Sequence, residues 1–161
     1  MAGSVFDFQL TTLAGEAYPL ADLAGRPLLI VNTASKCGFT PQYAGLQALW
    51  AKRETQPRGL VVIGVPCNDF GNQEPGEAMA IGEFCDRTYG VTFPMMRKVH
   101  VKGPDAHPLF KWLGDQGGFF ARPRWNFYKY LTRRDGQLAT WFPCTTSPDS
   151  AKVTRAIDEI L

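Results

Sequence analysis

Pro27-Leu-Leu-Ile-Val-Asn-Thr33-Ala-Ser-Lys-Cys37-Gly-Phe-Thr-Pro41 is the stretch on which the fold turns. Its first half is a continuous apolar run with β-branched residues, the pattern of a strand buried on both faces in the middle of a sheet. Pro41 then opens a helical pattern, with Tyr43, Leu46, Leu49 and Trp50 at i, i+3, i+4 spacing. Cys37 therefore stands between the carboxyl end of a central strand and the amino end of a helix. Unpaired backbone N–H groups there favour an anion, and the thiolate is the nucleophilic form of cysteine. Lys36 adds a neighbouring positive charge. Thr40 occupies the place where a Cys-x-x-Cys motif would carry its second sulfur, so the stretch holds no local dithiol and does not read as a simple disulfide reductase.

Working outward, residues 59–65 form a second buried strand and 77–89 a helix. Residues 94–101 read as a strand and 106–113 as a helix. Residues 127–132 and 137–142 flank Arg133-Arg-Asp-Gly136, a strong hairpin signal, and Ser147 or Asp149 is placed to cap a final helix. At the start, residues 5–10 and 16–20 flank a Leu13-Ala-Gly15 turn and read as an opening hairpin. Two βα units followed by an antiparallel pair predict an α/β, thioredoxin-like fold: a central mixed β-sheet flanked by helices, with an N-terminal β-hairpin. No repeat or linker divides the chain, so residues 1–161 read as a single domain.

Composition narrows the function. The chain has 161 residues, 45% hydrophobic and 20% charged, enough for a full core without staples or metals. Seventeen basic against 15 acidic side chains leave +2, too near neutral to argue for nucleic acid or an anionic membrane as a general partner, though a patch can be basic locally. No stretch approaches membrane-spanning length and no secretory signal is visible, which predicts a cytoplasmic protein without stable membrane insertion. Cys37, Cys67, Cys85 and Cys144 are too irregularly spaced for a secreted disulfide framework, and two histidines are too few and too scattered for a zinc site. No cofactor is expected.

Three separated motifs carry a family resemblance. Asn32-Thr-Ala-Ser-Lys-Cys-Gly-Phe-Thr40, Val65-Pro-Cys-Asn-Asp-Phe-Gly-Asn-Gln-Glu-Pro-Gly76 and Trp125-Asn-Phe-Tyr-Lys-Tyr130 follow in order. Together they resemble the signatures of the glutathione peroxidase family over nearly the whole chain. The resemblance implies that Cys37 is the peroxidatic residue, where some relatives have selenocysteine, and that Gln73, Trp125 and Asn126 complete a catalytic tetrad. Those residue types suit the task. The two amides and the indole N–H donate hydrogen bonds to a thiolate and to departing peroxide oxygen, and none adds a competing negative charge.

The same resemblance implies that Cys85 resolves the sulfenic acid formed on Cys37, as in the thioredoxin-dependent branch of the family. If Cys85 lies on a helix with its sulfur far from Cys37, the helix around it is expected to unwind locally during turnover, because a disulfide needs Cα atoms within about 7 Å. The likeness also implies thioredoxin, rather than glutathione, as reductant. Only residues 117–124 separate the helix at 106–113 from Trp125, where tetrameric relatives carry a longer insertion, so a monomer with an open site is expected. Such a site accepts hydrogen peroxide and bulkier lipid hydroperoxides. Arg122 and Arg124 lie in that segment; they could attract glutathione carboxylates or lipid phosphates, but the preferred reading is ordinary solvated loop arginines. Asp69 replaces a glutamine common in the second signature and is expected to point away from the sulfur. Cys67 reads as structural and Cys144 as incidental. Two other readings use the same residues: a peroxide sensor relaying oxidation to a partner protein, and a one-cysteine enzyme using glutathione.

Overall fold

The computed structural model describes residues 3–53, 59–74 and 76–161. Its centre is β3 (Leu28–Thr33), all six residues of which are buried. β3 pairs parallel with β4 (Val61–Pro66) and antiparallel with β5 (Lys129–Thr132), which pairs in turn with β6 (Leu138–Phe142). The sheet order is β4-β3-β5-β6, and β1 (Gln9–Thr11) and β2 (Ala17–Pro19) form a separate antiparallel hairpin. Side chains of a strand alternate between faces, so the central apolar run feeds two cores. Leu28 and Ile30 join Leu109, Phe110 and Leu113 of α3 (Pro108–Gly117) on one side. Leu29 and Val31 join α1 (Gln42–Arg53), α2 (Ala78–Tyr89) and α4 (Ala151–Ile160) on the other, through Tyr43, Leu46, Ile81, Val153 and Ile157. Each such side chain, fully buried, stabilises the fold by about 1.5–3 kcal/mol.

Three local expectations change. Residues 94–101 form no strand but only the isolated bridges Gly64↔Met95 and Thr12↔Met96. Their hydrogen bonds are divided between two partners: Met96 and Val99 N–H groups go to Gly64 and Pro66 carbonyls, while Arg97 N–H goes to Thr11. The segment thus ties the hairpin to the edge of the sheet. Ser150, rather than Ser147 or Asp149, caps α4, its hydroxyl accepting from Val153 N–H at 3.4 Å. Near the start, Val5–Asp7 is a 3-10 turn capped by Ser4, and the first strand begins only at Gln9. Among the described residues no helix is long and apolar enough to cross a membrane.

Candidate active site

Cys37 lies in the turn between β3 and α1, 7% exposed. Thr40 organises that turn: its hydroxyl accepts from Cys37 N–H at 2.8 Å and donates to the Ala34 carbonyl at 2.8 Å. The residue in the second-sulfur position therefore holds the first sulfur in place. The Phe39 N–H donates to Cys37 Sγ at 3.4 Å, and an N–H aimed at sulfur stabilises negative charge there. Because α1 begins at Gln42, this donor belongs to the turn and not to the helix proper.

Gln73 reaches the turn through its backbone, its carbonyl accepting from Lys36 N–H at 2.9 Å. Its side-chain Oε1 accepts from Asn126 Nδ2 at 3.0 Å. Gly71 makes this approach possible. It has φ +66°, a region L side chains rarely adopt, and a Cβ there would lie 3.3 Å from the Trp125 indole and 3.6 Å from the Gln73 side chain. Trp125 also packs on Phe70, ring centroids 6.0 Å apart. It touches the apolar cluster containing Cys37 and Cys85. The structure thus joins Gln73 to the Cys37 turn through the Lys36 N–H, joins Asn126 to Gln73, and packs Trp125 against the cluster that contains Cys37.

Three residues outside the expected tetrad hold this arrangement together. Asn32, at the end of β3, donates from Nδ2 to the Trp125 carbonyl at 2.8 Å and accepts from Tyr128 N–H on Oδ1 at 3.0 Å. Its own carbonyl takes Phe127 N–H at 2.6 Å. The Trp125–Tyr128 turn is therefore fastened to the strand that leads into Cys37. The Cys67 thiol donates to Asn126 Oδ1 at 3.5 Å and accepts from Asn32 Nδ2 at 3.8 Å. Burial pushes that thiol up to about 11, so it is a neutral spacer. Lys98 Nζ ties down the loop after Gln73, donating to the carbonyls of Glu74 at 3.0 Å and Gly76 at 2.9 Å. Asn32 and Cys67 stood inside the quoted motifs; only their fixed spacing from Cys37 and Gln73 signalled them. The described residues with positive φ other than glycine are Asn72 and Phe127, each beside a site residue. Such strain persists where surrounding contacts over-determine it.

Asp69 is turned to the surface loop: Oδ1 meets His100 Nδ1 at 2.7 Å and Oδ2 accepts from Val101 N–H at 2.7 Å. Burial raises its carboxyl, but these hydrogen bonds outweigh that and hold it below the ordinary value. Cys85 lies on α2, 2% exposed and unpaired. Burial pushes its thiol up to about 11, partly offset by the Tyr43 hydroxyl beside it. Between the Cys37 turn and α2 lies a cavity of about 300 Å³ lined by Ser35, Lys36, Glu74, Ile81 and Phe84.

A mixed central sheet covered on both faces, with Cys37 at the junction of its central strand and a helix, defines a thioredoxin-like fold. The profile of the glutathione peroxidase family matches residues 5–114. A glutathione peroxidase-like peroxiredoxin of Chlamydomonas reinhardtii is 49% identical over 158 residues, covering 94% of this chain and 96% of its own. A hydroperoxy fatty acid reductase of Synechocystis is 44% identical, covering 98% and 96%. The crystal structure of Trgpx in its apo form superposes with TM-score 0.77 at 38% identity, over 98% of this chain and 97% of that one. The chain belongs to the glutathione peroxidase family and is a peroxidase.

Proposed function

We propose that the protein reduces hydrogen peroxide and organic hydroperoxides, lipid hydroperoxides among them, by a two-cysteine cycle recycled by thioredoxin. Cys37 thiolate attacks the outer peroxide oxygen, the O–O bond breaks, and an alcohol or water leaves after taking a proton; Cys37 becomes a sulfenic acid. Gln73 and Trp125 donate hydrogen bonds to the departing oxygen, and Asn126 orients Gln73. The Cys85 thiol then attacks the Cys37 sulfur, water leaves, and a disulfide remains. Thioredoxin returns two electrons and two protons. The observation that carries the reading is the chain of contacts from the Phe39 N–H on Cys37 Sγ, through the Lys36–Gln73 backbone bond, to Asn126. The relative named hydroperoxy fatty acid reductase supports organic hydroperoxides as substrates.

Residues 1–161 form one domain in this reading, acting as a monomer. Four unpaired thiols accord with a reducing compartment such as the cytoplasm. The test is peroxide consumption with thioredoxin or with glutathione, for wild type, Cys37→Ser and Cys85→Ser. Loss of all turnover on Cys37→Ser, and of thioredoxin-driven turnover on Cys85→Ser, is expected. Undiminished thioredoxin-driven turnover in Cys85→Ser removes that residue from the cycle.

A further inference from the structure

Glu74 follows Gln73 directly in the second signature, and the two-cysteine cycle gives it no task. It is 1% exposed, and among the described residues no other Asp or Glu is buried. A buried carboxylate is ordinarily paired with a cation or fully hydrogen-bonded. Glu74 Oε2 has no hydrogen-bond partner among the described residues. The cation at hand is engaged elsewhere: Lys98 Nζ donates to the backbone carbonyls of Glu74 at 3.0 Å and Gly76 at 2.9 Å. The Glu74 N–H donates to Asn68 Oδ1 at 2.9 Å. The backbone is thus held on both sides, while one carboxyl oxygen is left unmatched.

The surroundings of that carboxyl are the two elements that carry sulfur. Glu74 lines the cavity of about 300 Å³ between the Cys37 turn and α2, with Ser35 and Lys36 from the turn and Ile81 and Phe84 from the helix. Ser35 Oγ, close enough to act on Glu74 electrostatically, is itself without a hydrogen-bond partner among the described residues. Ile81 lies four residues before Cys85 and so on the same helix face. Both belong to the buried cluster that contains Cys37. The cavity therefore separates the turn that holds Cys37 from the helix that holds Cys85, with an unmatched acid on its wall.

We propose that Glu74 is the proton carrier of disulfide formation: its carboxylate takes the proton of the Cys85 thiol as that sulfur attacks Cys37, and returns it to the hydroxide leaving the sulfenic acid. The S–O bond on Cys37 breaks, the S–S bond forms and one water departs. The carboxylate is regenerated, and no further oxidant or reductant enters. The proposal rests on the two-cysteine reading. A carrier is needed because burial holds the Cys85 thiol at about 11, which leaves about one molecule in ten thousand ionised at neutral pH. Burial also raises the Glu74 carboxyl above 4.5, with Ser35, Lys98 and Lys36 acting the other way, and a raised carboxyl is the better base. The amides of Gln73 and Asn126 and the indole of Trp125 carry no proton away at neutral pH, so the tetrad supplies no alternative.

The test mixes the reduced whole chain with one equivalent of hydrogen peroxide between about pH 5 and 9. Quenched samples are read by mass spectrometry for Cys37 sulfenic acid, trapped with dimedone, and for the Cys37–Cys85 disulfide. Wild type, Glu74→Gln and Glu74→Asp are compared, with urea unfolding of each. Other titratable groups facing Glu74 are Lys36 on the turn, Lys98 on the segment after α2, Tyr43 on α1, Cys67 after β4 and Cys85 on α2. Glu74→Gln should slow disulfide formation about hundredfold at neutral pH, so that sulfenic acid accumulates. Its rate should climb with pH as Cys85 ionises unaided. The wild-type rate should instead fall on the acid side, as the carboxyl becomes protonated, and Glu74→Asp should keep that acid limb. Glutamine removes an unpaired buried charge, so the unfolding midpoint should not drop. A disulfide step in Glu74→Gln within about threefold of wild type overturns the proposal and leaves the two-cysteine reading standing. An aspartate profile without the acid limb overturns it too, and decides the matter should the glutamine variant not fold. A wild type that consumes peroxide without forming the Cys37–Cys85 disulfide ends the two-cysteine reading, and the carrier with it.

Discussion

The Asn126 side-chain amide donates to Gln73 Oε1 at 3.0 Å, so each of these residues fixes which way the other points. Oε1 being engaged, the Gln73 amino group is the end left for the donor role proposed for it. Asn126 is fixed in turn by the Cys67 thiol on its Oδ1.

Asn126→Asp replaces that donor by an acceptor and places a negative charge beside Gln73. A hydrogen bond involving a charged group is worth about 1.5–3 kcal/mol, so kcat/KM for hydrogen peroxide should fall roughly ten- to hundredfold. Steady-state peroxide consumption reads this directly. A value within twofold of wild type would mean that the Gln73 orientation does not matter to turnover.

Asn32→Ala leaves the Trp125 carbonyl and the Tyr128 N–H without their side-chain partner, at a fully buried position. Stranding two buried backbone groups costs about 1–3 kcal/mol each. A loss of roughly 2–6 kcal/mol in urea unfolding is expected, with activity reduced in the protein that remains folded. An unfolding midpoint at the wild-type position would contradict the role given to Asn32.

Lys129 is fully buried, and burial pushes its amine down to about 7 although it donates to the Phe127 carbonyl at 2.7 Å and the Pro143 carbonyl at 3.2 Å. The unfolded chain holds that proton up to the ordinary value of 10.5, so above about 7 the unfolded state binds more protons and stability rises with pH. Cys67 and Cys85, both pushed up to about 11 from 9.0, act oppositely above 9. The clean window is therefore between about pH 7 and 9, with a slope of up to about 1.4 kcal/mol per pH unit. Lys129→Met should flatten that slope in urea titrations; an unchanged slope would assign it to other groups.

His100 is lifted above 6.5 by its hydrogen bond to Asp69, and Asp69 lies below 3.8 despite its partial burial. For His100 the added stability is present below its unfolded value and fades as pH rises through its folded value. For Asp69 it is present above the unfolded value and fades as pH falls. The pair therefore contributes most between the two titrations, weakly because His100 is exposed. Proton NMR should show the His100 midpoint above 6.5, and Asp69→Asn should return it toward that value.

Cys85 is buried on an intact helix, and formation of the proposed Cys37–Cys85 disulfide is expected to open α2 locally. Amide hydrogen exchange across residues 77–90 should be faster in oxidised than in reduced protein. A disulfide formed without any change in protection there would show that the two sulfurs meet by another motion.

The central strand, the turn after it and the closing hairpin were legible because burial on both faces leaves an uninterrupted apolar run, and because turn chemistry is local. Gln73, Trp125 and Asn126 were singled out only through ordered motifs; as isolated residues they look like a surface amide, a core aromatic and a turn. The direction of the Asn126 donor could not be read, since it depends on Cys67, 59 residues away in sequence. Residues 94–101 misread as a strand: their hydrogen bonds go to two different elements, so no continuous ladder forms. Ser150 was passed over in favour of Ser147 and Asp149, since all three are good caps and only the backbone entry decides among them.

β3 lies between β4, which follows it closely in the chain, and β5, which arrives almost one hundred residues later. Trp125 and Asn126 lead directly into that late strand. While the chain is being synthesised, the nucleophile and the Gln73 loop can dock early, but the lid over them is missing until the last quarter emerges from the ribosome. Chains truncated before residue 125 would carry an uncovered thiol with neither the Asn126 amide nor the Trp125 indole to direct its reactivity. Competence would thus arrive in a single late step, together with closure of the sheet.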